Sequence, residues 1–226
     1  MGIELQVVAD EKAAARRAAE LIAEIGVAAV AERNAFALAM SGGRSPWAML
    51  AILGEDESMP WEQTELFQVD ERIASPGSED RNLTHMVLGL SMDHQVALRP
   101  MPVTQRDLEA AARDYEEALP APLDCVHLGL GPDGHTASLV PGDPVLDVTD
   151  RRVALTEAAY QDHRRMTLTY PALAEARQIV WLVTGPDKRD ALARLLTGDP
   201  LIPAGRVQNE KMTVVADEAA AGTRQD

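Results

Sequence analysis

A chain of 226 residues, 46% of them hydrophobic, can bury a sizeable core, and no window approaches the apolar length that a membrane-spanning helix needs. Its 36 acidic against 21 basic residues leave a formal net charge of −15, which repels polyanions and argues against a general nucleic-acid or anionic-membrane surface. A small anionic ligand stays possible only where cations cluster locally.

The opening residues, MGIELQVVADEK, lack the charged and apolar regions of a secretory signal, so the expected compartment is the cytoplasm. Residues 3–9 form a short β-like run. Asp10 is placed to cap an Ala-rich helix reaching about residue 31, with Glu11 in its first turn and Asn34 beyond its end. Residues 36–40 are an apolar strand that runs into Ser41-Gly42-Gly43-Arg44-Ser45-Pro46. A strand, a glycine pair and a helix with Pro near its start make an anion site, because backbone N–H groups can approach and the helix dipole favours negative charge. The same residues also make a plain strand-to-helix turn. No Gly-Lys-Ser/Thr follows, so this is not a Walker A loop.

Residues 66–69 are a third strand, ending in Asp70-Glu71-Arg72. Three charges there are costly if buried and uninformative if solvated. A Pro/Gly/Ser loop at 75–79 precedes a helix near 81–90, with Asn82 close to its start. Residues 95–98 read as an edge strand, and Thr104 as the cap of an acidic helix reaching about residue 119.

Residues 125–130 have the length and composition of a buried parallel strand, with the single cysteine, Cys125, at its start. One cysteine excludes an internal disulfide and fits a reducing compartment. The strand breaks into Gly131-Pro132-Asp133-Gly134, and residues 135–138 are expected to begin a short helix that Pro141 and Gly142 stop. Gly129, Gly131 and Gly134 match the dinucleotide fingerprint G-x-G-x-x-G. Against that, Asp133 places a carboxylate where pyrophosphate should sit, Pro132 removes a donor, and the helix is short for a βαβ crossover. Ligands of open α/β sheets bind outside the carboxyl ends of strands, so His135 is well placed for chemistry; a surface or capping histidine fits the same position.

Further strands are expected at 152–155, 166–169, 179–184 and 212–215, with a polar loop after the first and short helices after Pro171 and around Lys188. A lysine in a first helical turn opposes the dipole, which makes sense beside an anion. Strands alternating with helices, without repeats or a clear linker, predict one doubly wound α/β domain over 1–226 with a mainly parallel sheet and helices on both faces.

Four segments together resemble the glucosamine-6-phosphate isomerase/6-phosphogluconolactonase family. They are Ser41–Pro46, Asp70-Glu71-Arg72, Gly129–Gly142 with Asp133-Gly134-His135-Thr136-Ala137-Ser138, and Arg165-Met166-Thr167 with Val183-Thr184-Gly185 and Lys188. The Gly-His-Thr-Ala-Ser run favours the lactonase branch over the deaminase branch. The resemblance implies a modified Rossmann-like fold and hydrolysis of a phosphorylated sugar lactone, with no cofactor and no metal. On that basis His135 is expected to activate water, since free imidazole titrates near ~6.5. Backbone N–H groups around Gly131 and Gly134 would face the oxyanion. Ser41, Gly42, Gly43, Arg44, Ser45, Arg165 and Lys188 would hold phosphate, and Arg72 would face the sugar or the product carboxylate. Asp70 and Asp133 would either orient His135 or bind hydroxyls. Two rival functions are an amino-sugar-phosphate deaminase using Asp70 as a carbon base, and a non-catalytic sugar-phosphate regulator that does not need His135. The histidines, His85, His94, His127, His135 and His163, lack zinc-ligand spacing. The expected partner is a small phosphorylated sugar lactone, with the protein a monomer or small homo-oligomer.

Overall fold

A computed structural model describes residues 2–90 and 96–223. In chain order the elements are β1 (Gly2–Val8), α1 (Glu11–Arg33), β2 (Phe36–Met40), α2 (Arg44–Gly54), β3 (Thr64–Gln68) and β4 (Asp70–Arg72). Then come α3 (Asn82–Gly89), β5 (Ala97–Arg99), α4 (Leu108–Ala118), β6 (Cys125–Gly129), β7 (Val153–Leu155) and β8 (Arg165–Leu168). The chain continues through α5 (Tyr170–Glu175), β9 (Ile179–Val183), α6 (Arg189–Leu196), β10 (Lys211–Asp217) and α7 (Glu218–Ala221).

Seven strands form a parallel sheet in the order β1-β10-β9-β6-β2-β3-β5. From β2 the chain moves outward to β3, whereas from β6 it moves the other way to β9. The order therefore reverses between β2 and β6, and a crevice opens there at the carboxyl ends of the strands. Side chains alternate between the sheet's faces. Phe36, Leu38 and Met40 of β2 pack with Ala14, Ile22, Met49 and Met86 of α1, α2 and α3. Ala37 and Ala39 join Val126, Trp181 and the buried residues of α4 to α7 on the opposite face. No helix of the described residues is long and apolar enough to cross a membrane.

The caps of α1 follow the sequence: the Asp10 carboxylate accepts from the Ala13 N–H at 2.8 Å, and Asn34 closes the helix in the left-handed region at φ 56°. Three expectations need correction. The strands expected at 152–155 and 166–169 leave the main sheet; β4, β8 and β7 make a separate antiparallel sheet. The acidic helix starts at Leu108, not at Thr104. Asp107 caps it through the Ala110 N–H at 2.9 Å, and the preceding turn buries Val103 in the core. No helix forms after His135. Ala137 lies at φ 51°, the Thr136 hydroxyl donates to the Gly129 carbonyl, and Ser138 is drawn to Asp70, so local side-chain bonds replace helical ones. The edge strand covers Ala97–Arg99; Gln95, with which it was expected to begin, lies outside the described residues, as does His94.

Candidate active site

The crevice at the strand reversal is a cleft of about 570 Å³, within the usual range for a small-molecule site. Its lining brings together Ser41, Gly42, Gly43, Arg44 and Ser45 with Asp70, Arg72, Gly131, His135, Arg165 and Lys188. Asp133 and Gly134 stand behind this lining. Distant segments of chain thus meet in one pocket, and its cations are those that the net charge requires for an anionic ligand.

One end is built from the loop after β2 and the turn after β9. Gly43 occupies φ 130°, a backbone that L residues rarely adopt, and leaves the N-terminus of α2 without a side-chain cap. Ser45 Oγ donates to Glu11 Oε1 at 2.7 Å and lies 2.8 Å from Thr184 Oγ1, tying β2's loop to β9's. Lys188 closes a short 3-10 turn one residue ahead of α6, with its ammonium 3.0 Å from Asp187. That turn hangs on Asp217 of β10, whose carboxylate accepts from the Gly185 N–H at 3.1 Å and also caps α7.

The other end is the turn after β6. Its Gly131 N–H donates to the His135 carbonyl at 2.8 Å and its Gly134 N–H to the Gly131 carbonyl at 3.0 Å. Both donors are spent within the turn, so these glycines shape the loop and do not face an oxyanion. Gly131 gives clearance: a Cβ there would stand 2.0 Å from His135 Nδ1. The turn has no following helix, so it also lacks the N-terminus a pyrophosphate would need. His135 Nδ1 lies 2.5 Å from Asp133 Oδ1. Burial pushes the Asp133 carboxyl upward, but the His135 hydrogen bond and charge, with help from Tyr160, outweigh it and hold it below the usual range.

Between the two ends lies a buried polar cluster on β4. Asp70 Oδ2 accepts from Ser138 Oγ at 2.5 Å and pairs with Arg165 Nη1 at 3.7 Å, while Asn82 Nδ2 donates to the Asp70 carbonyl at 2.9 Å. Glu71 is fully buried, which the sequence made look expensive. Its carboxylate accepts from the N–H groups of Arg72, Asn82 and Leu83 and from Gln68 Nε2, and it pairs with Arg81. These bonds offset the desolvation and fix β4 to the start of α3. Arg72 reaches the Asp80 carbonyl at 2.6 Å. Arg165 stands with Asp70, Tyr160 and Gln161; burial lowers its pKa, while the Asp70 charge opposes that shift.

Asp133, not Asp70, is therefore the carboxylate on His135. Among the described residues, Ser41 Oγ, Asn82 Oδ1 and the Nε atoms of Arg72 and Arg165 are buried without a hydrogen-bond partner, and all four residues line the cleft. Tyr160, Gln161 and Asn82 line it too, yet no motif marks them, and so does Thr184 of the Val183-Thr184-Gly185 segment. A lone aromatic in a polar loop was the one available signal, at Tyr160.

A parallel sheet with a cation-lined cleft at its order reversal defines a Rossmann-like α/β enzyme for a small anionic substrate. Residues 9–216 match the family model described as glucosamine-6-phosphate isomerases/6-phosphogluconolactonase, and the chain belongs to that family. The 6-phosphogluconolactonase of Mycobacterium tuberculosis is 36% identical over 222 residues, covering 89% of this chain and 90% of the relative. That of Synechocystis is 36% identical over 182 residues, 74% of each chain. Among solved structures, the 6-phosphogluconolactonase of Thermotoga maritima superposes with a TM-score of 0.85 at 25% identity, over 96% of this chain and 99% of that one.

Proposed function

We propose that the protein hydrolyses 6-phospho-D-glucono-1,5-lactone to 6-phosphogluconate, the second step of the oxidative pentose phosphate pathway. The observation that carries this is the Asp133–His135 pair opening onto the same cleft as the uncapped start of α2 and Lys188. With its Nδ1 proton held by Asp133, a neutral imidazole offers Nε2 as the base. Water attacks the lactone carbonyl as Nε2 takes its proton, and the tetrahedral intermediate collapses by breaking the C1–ring-oxygen bond. The imidazolium then protonates the departing ring oxygen, leaving an acid that ionises to carboxylate. The loop Ser41–Ser45 and Lys188, with Arg44 at the rim, hold the phosphate. Arg72 places positive charge on the side of the sugar and the developing oxyanion, and Arg165, expected from the sequence at the phosphate, joins it because it stands against Asp70 and Tyr160.

A deaminase would need Asp70 free as a carbon base, and its carboxylate is committed to Ser138 and Arg165. The test is to generate the phosphorylated lactone enzymatically and follow acid release above the spontaneous rate. His135→Ala should lower kcat by about 10²-fold or more, the range for losing a general base. Near-normal kcat would remove His135 from the role, and ammonia release from glucosamine 6-phosphate would replace the reading altogether.

A further inference from the structure

We infer that the hairpin joining β7 to β8 supplies a positioning residue, Tyr160, whose hydroxyl and ring hold the Asp133–His135 pair from the side opposite its own turn. The inference rests on His135 being the base. Tyr160 Oη lies 3.3 Å from Asp133 Oδ2 and 3.2 Å from His135 Nδ1. Its ring meets the imidazole edge-on, with centroids 5.1 Å apart and planes at 62°. A tyrosine in a polar surface loop has no need to touch both members of an ionisable pair.

The hairpin is built to present it. Gln161 and Asp162 both take positive φ, 51° and 67°, reversing the chain directly after Tyr160, and the Tyr160 N–H donates to the His163 carbonyl at 3.0 Å. Non-glycine residues enter that region seldom, so the turn is held by its surroundings. Arg165 Nη2 donates to the Tyr160 carbonyl at 3.0 Å, and its guanidinium lies 5.3 Å from the ring centroid. His163 approaches Asp80 at 3.4 Å, anchoring the far side of the hairpin to the loop that also receives Arg72.

The chemistry has a definite sign. Burial first, and then the Asp133 charge, push the phenol above its ordinary range, so it stays a donor at neutral pH. With the Nδ1 proton pointing at Asp133 Oδ1, the hydroxyl donates to Oδ2 and withdraws part of the charge that steadies an imidazolium. Were it instead to donate to an unprotonated Nδ1, it would stabilise the neutral ring. Both arrangements favour neutral His135, the form that accepts a proton from water. Asp133 faces the His135 ring from its own turn and Arg165 of β8 lies over the Tyr160 ring, while Glu11, Arg44, Asp70, Arg72, Asp187 and Lys188 share the cleft.

The decisive comparison is the pH dependence of kcat/KM for the phosphorylated lactone in the wild type, Tyr160→Phe and Tyr160→Ala. His135 ring signals should be followed by NMR against pH in the substrate-free proteins. Tyr160→Phe keeps the ring contact and removes only the hydroxyl. It should move the acid limb and the ring titration together to higher pH, because the Asp133 carboxylate regains the charge that the phenol withdrew. Tyr160→Ala should show the same displacement and a further loss of about tenfold in kcat as the imidazole loses its lateral support. An unmoved ring titration in Tyr160→Phe overturns the inference, as does a shift to lower pH. If His135→Ala keeps its kcat, the base assignment falls instead, and Tyr160 loses its part in the reaction even where the ring titration moves.

Discussion

Gly131→Ala tests whether the position of the imidazole matters as much as its presence. The added Cβ would stand 2.0 Å from His135 Nδ1 and 2.1 Å from Cε1, against 3.4 Å for the start of ordinary contact, so the ring must retreat by about 1.4 Å. A displacement of that size breaks the 2.5 Å contact with Asp133. Misplacing a catalytic group by about 1 Å costs on the order of 10²-fold, so kcat should fall by ~10²-fold, equivalent to ~2.7 kcal/mol of activation free energy. Gly131 is not among the positive-φ glycines, so alanine suits the backbone and the fold should survive. The assay is lactone hydrolysis in the single variants and in Gly131→Ala/His135→Ala, with thermal unfolding as the check on folding. The double variant should be no slower than His135→Ala alone, because both changes act through one ring. A kcat within about threefold of wild type for Gly131→Ala, or fully additive losses in the double variant, would refute the close-approach reasoning.

Three further outcomes follow from the same geometry. Lys188→Ala should raise KM for the phosphorylated lactone and leave unphosphorylated gluconolactone almost unaffected; equal losses on both would make Lys188 structural. Burial pulls His127 of β6 down to about 3, whereas an unfolded imidazole takes its proton near ~6.5. Between those values the unfolded chain binds the extra proton, so this residue's share of stability falls as pH drops, by up to ~1.4 kcal/mol per unit. Urea titrations should therefore show less acid sensitivity in His127→Leu than in the wild type, and identical slopes would contradict the assignment. Glu71→Gln leaves Arg81 buried without its counter-charge and should destabilise the protein by about 3–5 kcal/mol, read from denaturant midpoints.

The parallel strands were legible because each is an apolar run ended by glycine, proline or charge, and the cleft was legible because such strands place their loops at one edge. What stayed hidden depended on partners far away in sequence. Asp70-Glu71-Arg72 reads either as a solvated strand end or as part of a site, since nothing local reveals that N–H groups about ten residues on will satisfy Glu71. Its departure into a second sheet follows from pairing with β8, nearly a hundred residues later. The helix expected after His135 is absent for a related reason: the hydroxyls of Thr136 and Ser138 find acceptors on β6 and β4 instead of serving a cap. Tyr160 carries no motif at all. Its contacts with Asp133 and His135 arise only when the hairpin folds over the β6 turn.

Where Lys188 holds the phosphate as proposed, Asp217 gives the carboxyl-terminal strand a stake in ligand affinity. The same carboxylate that starts the last helix also tethers Gly185, and through it the turn bearing Lys188. Shortening or replacing that side chain reaches the anion-holding rim from behind without touching any ligand, so damage at this edge would surface as weakened substrate capture before any loss of chemistry.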